Sequence, residues 1–119
     1  MTVAQMLAHC CLPIELMLGK ADGSQTFIQK CIAMLFSGFA ASEKPFIKNL
    51  PMPEFFIVAT EKNFDFEKAR LTQLMLQMFA TNAADVEGRR HKLLGVLTAR
   101  EWSNLMYRHL DHHFRQFGA

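Results

Sequence analysis

The C-terminal end of the chain constrains the fold more than any other part. Thr98-Ala99-Arg100-Glu101 is a capping-box sequence and the clearest helix start in the chain, and Gly118 is a natural helix stop. The pattern between them predicts an amphipathic helix over residues 98–117. His109 and His113 are four residues apart, so they lie one turn apart on one side of that helix.

The side of this helix that bears His109 and His113 is otherwise apolar. It also includes Trp102, Met106 and Phe117. His112 falls on the rim of this face, whereas Asp111 and Arg115 point away. An unpaired buried polar group costs free energy, so two imidazoles on a buried stripe require a partner, and a metal ion is the most economical one.

A third imidazole lies on the first predicted helix, from Val3 to Leu18. Thr2 is the expected N-cap and Gly19 follows the helix end. His9 points toward the core, because it shares a face with Met6, Leu12, Pro13 and Leu16. Three histidine ligands would leave one coordination position open, as in catalytic rather than closed structural zinc sites. Pro13 cannot donate to the carbonyl of His9, so a kink or bulge is expected there.

Two interpretations of these histidines stay open at this point. Facing helices of a bundle can hold a metal ion through inward side chains. Alternatively, the rings are ordinary core or helix-end residues, since a cation in the last turn of a helix is favoured by the helix dipole.

Two further helices are predicted, from Gln25 to Phe39 with Ser24 as cap, and from Asp65 to Phe79. Residues 40–64 between them are long for a structureless connection in a small domain. A short strand over Phe55–Val58 is one prediction for that segment. An extended segment that packs its phenylalanines over the bundle, and so covers a ligand pocket, is the favoured one.

The remaining reactive side chains give weaker predictions. Cys10 and Cys11 are expected to point sideways or outward, so a Cys/His nucleophile is a minor alternative. The cluster Arg89-Arg90-His91-Lys92 is interpreted as solvated surface, which includes His91. Asp65 and Glu67 are interpreted as first-turn helix acids. No pair of inward carboxylates is therefore predicted.

Composition excludes several classes of protein. The 119 residues predict one domain, residues 1–119, with one core. A net charge of +2 gives no reason to expect binding to nucleic acid or to an anionic membrane. No apolar run approaches the length of a membrane span, and no signal peptide is recognised. Three cysteines without a Cys-x-x-Cys pair fit reduced thiols, so we expect a cytoplasmic protein.

Four runs of the sequence resemble a bacterial family of unknown function in the DinB/YfiT-like superfamily of metalloenzymes. They are Val3–Cys10, Lys44–Asn49, Pro53–Phe55 and Leu97–His113. The resemblance spans nearly the whole chain, and its most specific parts are the Met-Leu-Ala-His run that ends at His9 and the closing run that ends at His113.

The resemblance implies an all-α fold, an antiparallel helical bundle of the DinB-like four-helix type. It also implies a three-histidine site for a divalent metal ion, often zinc or nickel, at the positions of His9, His109 and His113. Characterised relatives include thiol-dependent transferases and isomerases that use low-molecular-weight thiols. A small-molecule substrate, such as one of these thiols, is therefore implied.

This chain departs from the family pattern in three places. Relatives carry an additional first bundle helix before the position of Met1. We therefore expect either a truncated start or an apolar face covered by a partner chain, as in a homodimer. The loop usually written His-Pro-Phe-Phe-Gly appears here as His91-Lys92-Leu93-Leu94-Gly95, which puts a role of His91 in doubt. Pro13 stands where a regular helix is expected to continue.

Two functional hypotheses follow. In the first, the chain is a divalent-metal-dependent enzyme, a thiol-dependent transferase or a hydrolase. His9, His109 and His113 hold the ion, and His112 is the candidate catalytic residue that orients a ligand or moves a proton. In the alternative, the chain is a non-catalytic metal- or ligand-binding module that acts as a dimer scaffold. An inward acid or base beside the triad would favour the enzyme, and the sequence offers none beyond His112.

Overall fold

The structure, a computed structural model, describes residues 1–36, 38–44 and 54–119. Most of these residues are helical, which confirms the predicted helical class. The helices are α1 (Val3–Met17), α2 (Phe27–Leu35), α3 (Phe64–Ala80), α4 (Ala83–Val86) and α5 (Ala99–Gln116). A short 3-10 helix (Glu54–Phe56) and the strands β1 (Arg90–His91) and β2 (Gly95–Val96) complete the described elements. No helix in these ranges combines the length and apolar composition needed to cross a bilayer.

The sequence predicted α1, α3 and α5 to within about two residues at each end, because their starts are locally encoded. Thr2 caps α1 through a capping box with Gln5, and Thr98 caps α5 through one with Glu101. The α1 helix runs through Pro13 without interruption in its assigned bounds. The kink expected at that residue stays a prediction.

The prediction for α2 was wrong at both ends. The helix covers Phe27–Leu35 rather than Gln25–Phe39, and Thr26 caps it instead of Ser24. The reason lies in the third helical residue, because the Gln29 side chain accepts from the backbone N–H of Thr26 and completes a capping box. Ser24 instead donates its hydroxyl to Asp22 in the preceding turn.

The core forms where α1 packs against α3 and α5. Eleven of the 15 residues of α1 are buried, so this helix is the centre of the described structure. Its most enclosed side chains include Ile14, Cys10 and Cys11, and α5 contributes Trp102 and Met106. A helix that is apolar on nearly every side is expected to be covered on nearly every side.

A β-hairpin joins α4 to α5 and corrects the prediction for the basic cluster. Strand β1 pairs antiparallel with β2, with Arg90 opposite Val96. The Arg90 guanidinium donates to the Gln25 side chain, and the Lys92 ammonium donates to the carbonyl of Ser24. The cluster is therefore half-buried and does not form a solvated face. Its side chains hold the loop that precedes α2.

The described parts of the connection between α2 and α3 lie against α5 and α1. Asn104 and Arg108 of α5 donate to main-chain carbonyls of residues 39–44, which fastens that segment to the helix. Residues 54–56 are a 3-10 turn, so the alternative of a strand over Phe55–Val58 was wrong. The favoured prediction, an extended segment that packs its phenylalanines over the bundle, fits Phe56, whose side chain is buried. Pro45, Pro51 and Pro53 lie outside the described residues.

An ion-pair network links α1 and α3. Arg70 bonds to Glu67 one turn earlier on α3 and to Glu15 on α1. Glu67 lies in the first turn of α3, as predicted, but its side chain is only 4% exposed and pairs with Arg70. The prediction that no pair of carboxylates points inward was wrong, since Glu67 and Glu15 share the guanidinium of Arg70 at the helix interface.

Replacing Arg70 with methionine is expected to destabilise the fold by about 2–3 kcal/mol, less than the roughly 3–5 kcal/mol of a fully buried pair because the Arg70 side chain is 31% exposed. The substitution keeps the aliphatic stem but leaves the buried carboxylate of Glu67 without its counter-charge. Urea unfolding followed by circular dichroism measures the change. Arg115→Met is the control, because Arg115 pairs with Asp111 at an exposed site and should be indistinguishable from the wild-type chain. Equal stability of the Arg70 variant and this control would contradict the expectation.

Candidate metal centre

Three histidine rings from two helices meet at the interface of α1 and α5. His9 comes from the middle of α1, whereas His109 and His113 come from successive turns of α5. Their ring centroids are 4.7–4.8 Å apart in all three pairs. One nitrogen from each ring lies within 4.8 Å of the other two. In the part of the chain that the structure describes, no other group of three histidine, cysteine or acidic side chains converges in this way.

A backbone carbonyl fixes the orientation of His9. The Nδ1–H of His9 donates to the carbonyl oxygen of Phe56 at 2.7 Å. The Phe56 side chain is buried and its ring stands edge-on to the His9 ring at 6.4 Å. With the proton on Nδ1, a neutral His9 keeps its Nε2 lone pair for the centre of the cluster.

His113 is oriented in the same way by a side chain. Its Nδ1 lies 3.0 Å from the Oε1 of Gln116, one turn later on α5, so Nδ1–H is the donor. The Nε2 lone pair of His113 is then available on the other side of the ring. Histidine ligands of metal ions commonly donate their second nitrogen to a carbonyl or carboxylate, which fixes the tautomer and raises ligand basicity.

The closest pair of ring nitrogens tests whether a cation fits this site. The Nε2 atoms of His9 and His109 lie 2.9 Å apart. Two bare lone pairs would repel at that distance, so a proton or a metal ion must lie between them. Two nitrogens bound to one tetrahedral zinc ion are roughly 3.3 Å apart, given bond lengths near 2.05 Å. The spacing and the nitrogen donors therefore fit a divalent metal ion after a small movement.

Burial keeps the rings in the neutral form that binds metal. It lowers the pKa of His9 and, together with the neighbouring imidazoles, lowers the pKa of His109 well below its ordinary value. Burial likewise lowers the pKa of His113 to about 4, although the bond to Gln116 opposes this. A metal ion must otherwise compete with protons for imidazole nitrogen, and that competition is weak here at neutral pH.

His91 lies behind this cluster, so its interpretation as a surface residue was wrong. Its ring is 6% exposed and stacks on Phe56, with ring centroids 5.2 Å apart and planes 20° apart. Its ring centroid also lies 5.5 Å from that of Trp102, with the two planes tilted by 49°. Its Nδ1 accepts from the backbone N–H groups of Leu93 and Leu94. His91 thus supports Phe56, whose carbonyl in turn orients His9.

His112 lies at the edge of the cluster, as the helical pattern placed it. It is half-buried, and its ring centroid is 5.0 Å from that of His113. It does not belong to the three converging nitrogens. The ring is close enough to the triad to contact a molecule bound there.

The adjacent cysteines are enclosed rather than directed outward. Cys10 and Cys11 are fully buried, and burial raises the pKa of both thiols to about 12. The Cys11 thiol donates to the carbonyl of Leu7, one turn earlier in α1. A thiol held neutral in this way is a poor nucleophile, so the structure disfavours the Cys/His alternative.

Comparison with known proteins gives a single family assignment. The model of a family described as "Protein of unknown function (DUF1569)" matches residues 2–119. No curated protein and no solved structure matches the chain.

Proposed function

This chain belongs to the DUF1569 family, whose function is unknown, and we propose that it binds a divalent metal ion through His9, His109 and His113. We expect zinc or nickel, since imidazole nitrogen is a suitable ligand for both ions. The single observation that carries the proposal is the convergence of three ring nitrogens within 4.8 Å of one another.

The hydrogen bonds around the triad support this proposal over ordinary core histidines. A satisfied core histidine needs only a local donor and acceptor. Here the Nδ1–H groups of His9 and His113 donate to carbonyl oxygens, which leaves the Nε2 lone pair of each ring as an acceptor, and that of His9 lies 2.9 Å from the Nε2 of His109. Two rings that each present an acceptor nitrogen, next to a third ring, favour a cation bound by all three.

We further propose that the site is catalytic and acts on a thiol or on water. Three protein ligands leave a coordination position open, and an ion held there would lower the pKa of a thiol or water and polarise a substrate oxygen. The chain's own residues have separate tasks in this proposal. Phe56 and Gln116 orient the ligands, the apolar surroundings exclude bulk water, and His112 accepts or donates a proton at the rim.

The same features support a place for the chain in the DinB-like superfamily of four-helix bundles. One histidine on an earlier helix and a His-x-x-x-His pair on the last helix are the arrangement that this superfamily would require. The packing of α1 against α3 and α5 would supply three of the four helices of such a bundle, within a single domain.

One observation favours the alternative, a metal-binding module without catalysis. Among the described residues, the buried acid Glu67 and the half-buried Glu15 are held by Arg70 rather than directed at the triad. In that case His112, at the rim of the triad, would be the candidate among the described residues for a general acid or base. An enzyme is expected to lose turnover in His112→Ala, whereas a module would show no thiol-transfer or hydrolytic activity to lose.

The first test is the metal content of the chain purified without an affinity tag. Elemental mass spectrometry is expected to find about one zinc or nickel ion per chain. Removal of the ion with a chelator should lower the melting temperature, and re-addition should restore it, because a ligand that binds only the folded state stabilises it. Absence of stoichiometric metal, even after reconstitution with both ions, would leave the histidines as core residues.

A further inference from the structure

We propose that the exposed apolar face of α2 is an interface between two copies of this chain. The helix buries none of its residues. Its exposed side chains are mostly large and apolar. They are Phe27, Ile28, Ile32, Met34 and Leu35, followed by Phe36 just after the helix. This proposal is independent of the proposed metal site.

The helix is oriented with its apolar side away from the rest of the chain. Gln29 and Ala33, one turn apart, are its only half-buried residues. Ala33 lies beside Gly95 of the hairpin, where an added side-chain carbon would stand 3.7 Å from it. Gly95 also has a φ of 79°, which other residues rarely adopt. The small and polar side of α2 therefore faces the chain, the reverse of a surface helix in a monomeric protein.

The size of the exposed face suits a dimer. Phe27 is 80% exposed and Leu35 is 84% exposed, and four more large apolar side chains stand between 38% and 75%. At about 150–250 Å² for an aromatic side chain, and somewhat less for an aliphatic one, the six expose about 700 Å². That exceeds the usual largest apolar patch of a monomer and approaches the roughly 800 Å² that each partner buries in a standard interface.

The charge pattern favours a second copy over a charged partner. Lys30 is the sole charged residue of α2, and it projects away from the apolar face. An isologous interface places the same patch of surface on both sides, so a face of one charge would repel its copy. The uncharged face of α2 meets its own copy without that cost.

The position of Cys31 makes the arrangement directly testable. Cys31 is the central residue of α2, with four helical residues on either side, and its thiol is exposed. When two copies of a helix pair about a twofold axis through their centres, the central residues lie nearest the axis. Cys10 and Cys11 are fully buried, so Cys31 is the thiol within the described residues that a reagent reaches.

The experiment measures mass in solution and crosslinking of the full chain. Light scattering after gel filtration, at tens of micromolar chain, is expected to give the dimer mass. A short bismaleimide, which joins two thiols by addition, should convert most of the protein to a covalent dimer through Cys31. Cys31→Ser should abolish this product while the mass in solution stays that of a dimer.

Two charge variants decide whether the α2 face is responsible. The double variant Phe27→Glu, Leu35→Glu is expected to be monomeric, and its circular dichroism should match the wild type because both side chains are exposed. Phe79→Glu is the control, since Phe79 is 75% exposed on α3 and should leave the dimer intact. A monomeric wild-type chain, or a dimer that survives the double substitution, would overturn the proposal.

Discussion

Replacing His113 with alanine is expected to reduce the affinity of the chain for zinc by more than about 100-fold, since loss of an outer-shell partner alone costs 10–100-fold. The substitution removes one of three converging nitrogens and leaves too few protein ligands to hold the ion. His113 is near the end of α5, so the helix content of the variant should be unchanged. Competition with a chromophoric chelator measures the affinity, and circular dichroism measures the helix.

His112→Ala is the matched control for this prediction. The two histidines are adjacent on α5, but His112 does not belong to the converging group. The His112 variant should bind zinc about as tightly as the wild-type chain. Retention of stoichiometric zinc by the His113 variant would contradict the assigned ligands. So would an equal loss in both variants, because the effect would then be general damage to the end of the helix.

Acid is expected to destabilise the metal-free chain between pH 6.5 and pH 4. Burial lowers the pKa of His91 and of His113 to about 4, whereas histidines in the unfolded chain titrate near 6.5. In that window the unfolded chain binds more protons than the folded chain, so the free energy of unfolding falls as the pH falls. His91 contributes about 3 kcal/mol to the loss when its shift is fully expressed, and the less enclosed His113 contributes a smaller share.

Urea unfolding at several pH values, with a chelator present, measures this loss. The range from pH 6.5 to 5 is the most informative, because carboxylates titrate mainly below it. His91→Gln removes one of the shifted groups while keeping a polar side chain, so its stability should depend less steeply on pH. A wild-type stability that is flat from pH 7 to pH 5 would show that these rings do not stay neutral in the folded chain.

Local signals made three of the helices predictable from the sequence. The capping boxes at Thr2 and Thr98 involve residues three apart, and the apolar spacing of α1, α3 and α5 is likewise local. The inward direction of His9 and the shared side of His109 and His113 follow from the same spacing. The misplaced start of α2 was also decidable locally, since Thr26 and Gln29 form a capping box that Ser24 lacks.

The parts of the site that the sequence did not reveal depend on contacts between distant residues. His91 is buried because the hairpin folds over Phe56 and Trp102, and no spacing within the loop encodes that contact. Glu67 is buried because the guanidinium of Arg70 neutralises its charge. The same guanidinium also pairs with Glu15 from another helix. Gln116 offered a weak signal, since it follows His113 by three residues and such pairs are neighbours on a helix.

The use of a main-chain oxygen to orient His9 has a consequence for how this site can change. Every residue type has the same carbonyl group, so no substitution at position 56 removes the acceptor itself. Alanine scanning would register the loss of the Phe56 ring but would miss the hydrogen bond. An insertion or deletion near residues 54–60 would shift the oxygen away from the imidazole. The hydrogen bond to His9 thus tolerates substitution at position 56 but depends on the length of the segment around it. A change in the length of that loop is therefore the change that would alter the orientation of the His9 ring.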